Sequence, residues 1–223
     1  MKKTFAFLLL VLLASPLWAL DIYEPLAQDS LWVTTKGSAP FTSNPTTTLF
    51  GRADYAINNS VLIGAFGQAN YNNGITRREA GATGVANVTS FADNKALVDL
   101  TGSMSYNATS AAWNYALGTQ LRGILEGGLM PYGQLSFNSS SAAGTPVAFN
   151  ALAGSSLLLT EQVEAIANLS LDFGGSNVNP VLSLNAGSNW LLSDLLQFQV
   201  DLTAPLANAG SNLTGSFALY AGI

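Results

Sequence analysis

The chain reads as all-β, a transmembrane antiparallel up-and-down β-barrel of about twelve strands, or ten if its two weakest segments are set aside. Three observations predict this. Apolar residues alternate with polar or small ones in segment after segment, the pattern of strands with one face to lipid and one to water. The connections between these segments fall into two alternating sets, tight and longer. A secretory signal precedes the pattern.

Met1, Lys2 and Lys3 make a basic start, and the apolar run from Phe5 to Ala14 is far shorter than the ~20 residues a spanning helix needs. Pro16 breaks that run, and Ala19 marks a plausible cleavage edge. The expected organisation is therefore a signal peptide over 1–19, a short N-terminal segment over 20–29 and a barrel over 30–223. Beyond the signal, six basic residues stand against thirteen acidic ones, a net −7, which disfavours a nucleic-acid partner. Only 9% of residues are charged while 48% are apolar, a composition suited to a surface that faces lipid rather than water.

The elements follow in order. Residues 31–37 form a weak first strand with blurred alternation. Over 47–57, Leu49, Gly51, Ala53, Tyr55 and Ile57 oppose Phe50, Arg52 and Asp54, and Asn58-Asn59-Ser60 turns the chain into 61–71, where Val61, Ile63, Ala65, Ala69 and Tyr71 oppose Gly64, Gln68 and Asn70. Residues 80–91, rich in Ala and Gly, are the second weak segment. In the next pair, Val98, Leu100, Met104 and Tyr106 oppose Asp99, Thr101, Ser103 and Ser105, and Trp113, Tyr115, Leu117 and Leu121 oppose Asn114, Gln120 and Arg122. Segments 129–137 and 147–159 carry Gln134, Ser136, Asn150 and Ser156 on their polar phase. The alternation is cleanest where Val163, Ala165, Ala167, Leu169, Leu171 and Phe173 oppose Glu164, Asn168, Ser170 and Asp172. Leu182, Leu184, Ala186 and Trp190 then oppose Ser183, Asn185 and Asn189; Leu196, Phe198, Val200 and Leu202 oppose Gln197, Gln199 and Asp201.

Tight connections are expected at 58–60, 92–94, 125–127, 160–162 and 191–194, and longer ones at 37–45, 72–77, 107–110, 139–145, 174–180 and 205–211. Short inner turns alternating with longer outer loops is the asymmetry of membrane barrels. Aromatics on the outward phase gather at strand ends: Tyr71, Tyr106, Trp113, Phe137, Phe149 and Phe173 toward the longer loops, Tyr55 and Trp190 toward the tight turns. Such positions match the girdles that meet lipid headgroups.

The final segment puts Leu213, Gly215, Phe217, Leu219, Ala221 and Ile223 on one phase. Alternating apolar positions up to an apolar last residue resemble the C-terminal assembly signal of bacterial outer-membrane β-barrel proteins, although Ile223 stands where that signal usually has an aromatic. The resemblance implies an outer-membrane location, a lipid environment and recognition of the last strand by the barrel-assembly machinery.

The sequence has no histidine and no cysteine, which removes the usual general base of hydrolase sites and thiolate metal sites, so no catalytic, metal or cofactor site is expected. Lys36 and Lys95 fall in predicted loop or turn regions. The charges left on the inward phase are Arg52, Asp54, Asp99, Arg122, Glu164, Asp172 and Asp201, five acids against two arginines. They suit a small passive channel for solutes or ions with a weak preference for cations. The alternatives are a non-conducting scaffold barrel, its lumen filled by Arg-carboxylate pairs, and a soluble exported β-sandwich.

Overall fold

A computed structural model describes residues 29–91, 96–174, 177–207 and 212–222. Strands β1 Leu31–Pro40, β2 Thr47–Asn58, β3 Val61–Tyr71, β4 Ile75–Phe91, β5 Ala96–Asn107 and β6 Ala112–Gly123 are followed by β7 Leu129–Ser140, β8 Ala148–Thr160, β9 Val163–Gly174, β10 Asn177–Ser193, β11 Leu196–Ala207 and β12 Thr214–Gly222. Each pairs antiparallel with its neighbours in the chain, and β1 pairs with β12 from Trp32↔Gly222 to Pro40↔Thr214. The sheet is therefore a closed twelve-strand barrel without free edges. The β-sandwich alternative falls with that closure. The expected signal peptide, most of 20–29, the turn at 92–94, Lys95 and Ile223 lie outside the described residues. No helix among the described residues is long and apolar enough to cross a membrane.

Both weak segments are strands, and each is weak for a physical reason. In β1 the inner face carries Trp32, Thr34, Lys36 and Ser38, so a large aromatic ring starts the polar phase. In β4 the register shifts between Asn87 and Thr89, and Val88 is turned outward. A bulge of this kind inserts one residue and reverses the phase of everything after it, which blurs alternation in the sequence.

Several strands run beyond their expected limits on the side of the longer loops. β1 continues to Pro40, β4 begins at Ile75, β10 at Asn177, and β11 reaches Ala207, so the loops expected at 37–45, 72–77, 174–180 and 205–211 are shorter. Hydrophobic alternation reports only the lipid-facing band. Above it both faces are polar, as in Thr76, Arg77, Arg78 and Glu79, and the backbone stays in the ladder without an apolar signal. The tight turn after β6 contains a 3-10 turn, Glu126–Gly128, with Gly127 at φ 80°, a backbone that favours glycine.

Inside the barrel, glycines sit where neighbouring strands come close. A Cβ built at Gly118 on β6 would lie 2.6 Å from the Leu135 carbonyl oxygen and 2.9 Å from Thr101 Oγ1. Gly118→Ala is accordingly expected to destabilise the barrel by about 1–3 kcal/mol, the range for overpacking, read in a urea refolding titration in lipid vesicles. An unchanged midpoint would show that the sheet relaxes at this position.

Candidate functional site: the lumen

Among the described residues, the inward phase of the strands lines a cavity toward each end of the lumen, with buried side chains between them. Along β9 the order can be followed residue by residue. Glu164 lines a cavity of about 650 Å³ at the tight-turn end. Ile166 and Asn168 lie buried at mid-barrel. Asp172 lines a smaller cavity of about 180 Å³ toward the longer loops, with Asn150, Ser136 and Thr101. The two cavities have no lining residue in common.

The layer between them is held by hydrogen bonds that cross the sheet. Asn168 Nδ2 donates to the Tyr132 hydroxyl at 3.1 Å and to Asn185 Oδ1 at 3.4 Å, and Asn185 Nδ2 donates to Thr203 Oγ1 at 3.0 Å. Nearby, Gln199 Nε2 donates to both Asp201 carboxylate oxygens at 2.9 Å, Ser216 Oγ donates to Asp201 Oδ2 at 3.1 Å, and the Tyr220 hydroxyl donates to Gln199 Oε1 at 3.2 Å. Gln199 and Asp201 are each only 1% exposed, so water does not reach them. Tyr132, Leu152 and Ile166 form a small apolar cluster in the same layer.

Of the seven inward charges named from the sequence, six are buried on the inner face: Arg52, Asp54, Asp99, Arg122, Glu164 and Asp201. Asp172 is half-buried there and accepts from Asn150 Nδ2 at 2.5 Å. The structure sorts them into different roles. Arg52 Nε meets Asp54 Oδ1 at 2.6 Å, and Arg122 Nε meets Asp99 Oδ2 at 2.8 Å, while Asn87 Nδ2 donates to the other Asp99 oxygen at 2.9 Å. Lys36, expected in a loop or turn region, is instead a buried residue of β1. It was missed because it stands beside Gly37, where the polar phase runs on into Ser38 without an apolar marker. Also missed are Arg77 and Glu79 on β4, which pair with each other. Ser105 and Asn114 donate to Glu79 as well, the latter at 3.1 Å.

Two inward carboxylates keep only neutral donors. Glu164 accepts from Ser156 and, at 3.3 Å, from Asn189 Nδ2; Asp172 accepts from Asn150. Among the described residues neither has an ion-pair partner, and each lines a different compartment.

On the outer face Tyr55, Tyr71, Tyr106, Trp113, Phe137, Phe173 and Trp190 are exposed, and Phe149 is half-buried between two of them. The rings of Phe137, Phe149 and Phe173 line up across β7, β8 and β9 with centroids 5.2 and 4.6 Å apart, and Tyr106 meets Trp113 at 5.3 Å. At the other end the Tyr55 hydroxyl donates to Asp29 Oδ1 at 2.7 Å, and Trp190 Nε1 donates to Ser188 Oγ at 2.8 Å. Between these ends Leu100, Leu117 and Leu169 lie exposed on the outer face.

No family model matches the chain, and no curated protein matches it in sequence. Among solved structures it is similar in fold to the COG4313 outer membrane channel from Pseudomonas putida F1, with a TM-score of 0.73 and 10% identity over 90% of this chain and 98% of that one. It is similar also to the NanC porin, TM-score 0.63 and 7% identity over 84% and 97% of the two chains. The KdgM porin in complex with disordered oligogalacturonate gives 0.62 and 7% over 86% and 97%. At such identities the likeness is one of fold. That fold, a closed antiparallel barrel apolar outside and polar within, is the porin-like architecture of bacterial outer-membrane proteins, and an outer face of exposed leucines and aromatic rings has its place in the outer membrane.

Proposed function

We propose that the chain is a small passive channel with a weak preference for cations. The observation that carries this is the pair Glu164 and Asp172: while Arg52, Arg77 and Arg122 pair with Asp54, Glu79 and Asp99, these two carboxylates have neutral donors, one in each compartment. Fixed negative charge in a narrow, low-dielectric passage raises the local concentration of cations and lowers that of anions. The mid-barrel layer sets the constriction and keeps the unit conductance small.

Planar-bilayer recording in a salt gradient tests this. The expected result is small conductance steps with a reversal potential on the cation side, shifted toward zero by E164Q and D172N together. Steps of unchanged selectivity in that double variant would remove the two carboxylates from the mechanism. A specific observation favours the second reading, a closed scaffold: Gln199, Asp201 and Ser216, each 1% exposed, are hydrogen-bonded to one another and to Tyr220 at mid-barrel. Silence at every salt concentration would leave that reading in place of the channel.

A further inference from the structure

The tight-end cavity has the size and chemistry of a small-molecule site. Its volume, about 650 Å³, falls within the roughly 300–1,000 Å³ of ligand pockets, which are mostly apolar with a few placed polar groups. Trp32, Leu62, Val85, Ile124, Met130 and Leu158 supply an apolar wall unusual for the inside of a water-filled barrel. The charged groups in that wall are acidic apart from Arg122, which is occupied by Asp99; Asp54 is likewise held by Arg52. Among the described residues, Glu164 is the buried acid of the cavity without an ion-pair partner. Next to it Asn189, whose Nδ2 donates to Glu164 at 3.3 Å, also lines the cavity.

We propose that this cavity binds amphipathic organic cations, an ammonium group on an apolar body, with the Glu164 carboxylate receiving the ammonium. This deepens the cation-preferring reading above and names its ligand class. The alternatives are disfavoured by the lining itself. An anion would face Glu164, Glu161 and Asp194. A bare metal ion would lack donors, since no group of three or more acidic, His or Cys side chains is placed to hold one among the described residues. A neutral apolar molecule would bury the Glu164 charge with only the neutral donors Ser156 and Asn189 against it. An ammonium with an apolar body satisfies both the carboxylate and the wall.

Isothermal titration of the folded barrel in a non-ionic detergent tests the proposal with four probes: phenethylammonium, 2-phenylethanol, phenylacetate and methylammonium. Phenethylammonium is expected to bind about tenfold or more tightly than either the neutral alcohol or methylammonium, a difference of at least ~1.4 kcal/mol, with phenylacetate weakest. E164Q, checked for folding by its heat-modifiable migration, should erase the preference over the alcohol. Equal binding of alcohol and ammonium by the unmodified protein, no heat with phenethylammonium at millimolar concentration, or a preference that survives E164Q would each overturn it. The unmodified protein decides the matter even if E164Q does not fold. Binding with a silent bilayer would remove the channel and keep the site; conductance without binding would remove the site alone.

Discussion

Arg122→Ala is expected to destabilise the barrel by about 3–5 kcal/mol, because it leaves Asp99 buried without its cation. Asp99 is 1% exposed and cannot recover the lost interaction from solvent; Asn87 Nδ2 at 2.9 Å is the remaining donor to its carboxylate. The pair also fixes geometry, for Arg122 and Asp99 sit on adjacent strands near the tight-turn end, where they help to shape the larger cavity. Removing both charges at once, as Arg122→Leu with Asp99→Leu, should recover a good part of the loss, since the cost lies in the orphaned charge more than in the missing bond. A urea folding titration in lipid vesicles on the two variants decides it. A single variant as stable as the parent would mean that water enters this end of the lumen and screens Asp99.

Leu117→Arg is the second large effect, a loss of about 2–4 kcal/mol for a charge at the bilayer midplane on the lipid face of a barrel. Leu117 is 66% exposed in the middle of β6, on the lipid face, so the guanidinium would have hydrocarbon around it. By phase alone, Thr101, Gln120 and Ser170 are the tolerant inner-face positions for the same substitution. The structure keeps only Ser170 in that role. Gln120, 2% exposed, lies in a packed part of the interior where a long side chain must displace its neighbours, and Thr101, 3% exposed, borders a cavity of only about 180 Å³. The ordering Leu117→Arg worst, Ser170→Arg mildest, with Gln120→Arg between them, is the expected outcome of parallel folding titrations. A Ser170→Arg variant as unstable as Leu117→Arg would mean that the two faces had been exchanged.

The division between what could be read from the chain and what could not follows the range of each signal. Alternation is a local property with a period of two, so the sequence alone determined the fold class and the face on which Arg52, Asp99, Glu164 or Leu117 lies, and it left the strand count at twelve or ten until the closed sheet gave twelve. It failed locally where the pleat is interrupted, at the bulge after Asn87, and where no lipid band imposes a pattern, as at Lys36, Arg77 and the loop-side ends of β1, β4, β10 and β11. What an inward residue meets is a different kind of fact. Arg122 reaches Asp99 across 23 residues, Asn114 reaches Glu79 across 35, and Asn168 reaches Tyr132 across 36. Ile166, apolar on a polar phase, makes sense only beside Leu152 and Tyr132. Strand register and the radius at which twelve strands close decide these meetings, and neither is written in any one segment. Only the closed barrel therefore separated the paired charges from Glu164 and Asp172 and set these two carboxylates at different cavities of the lumen.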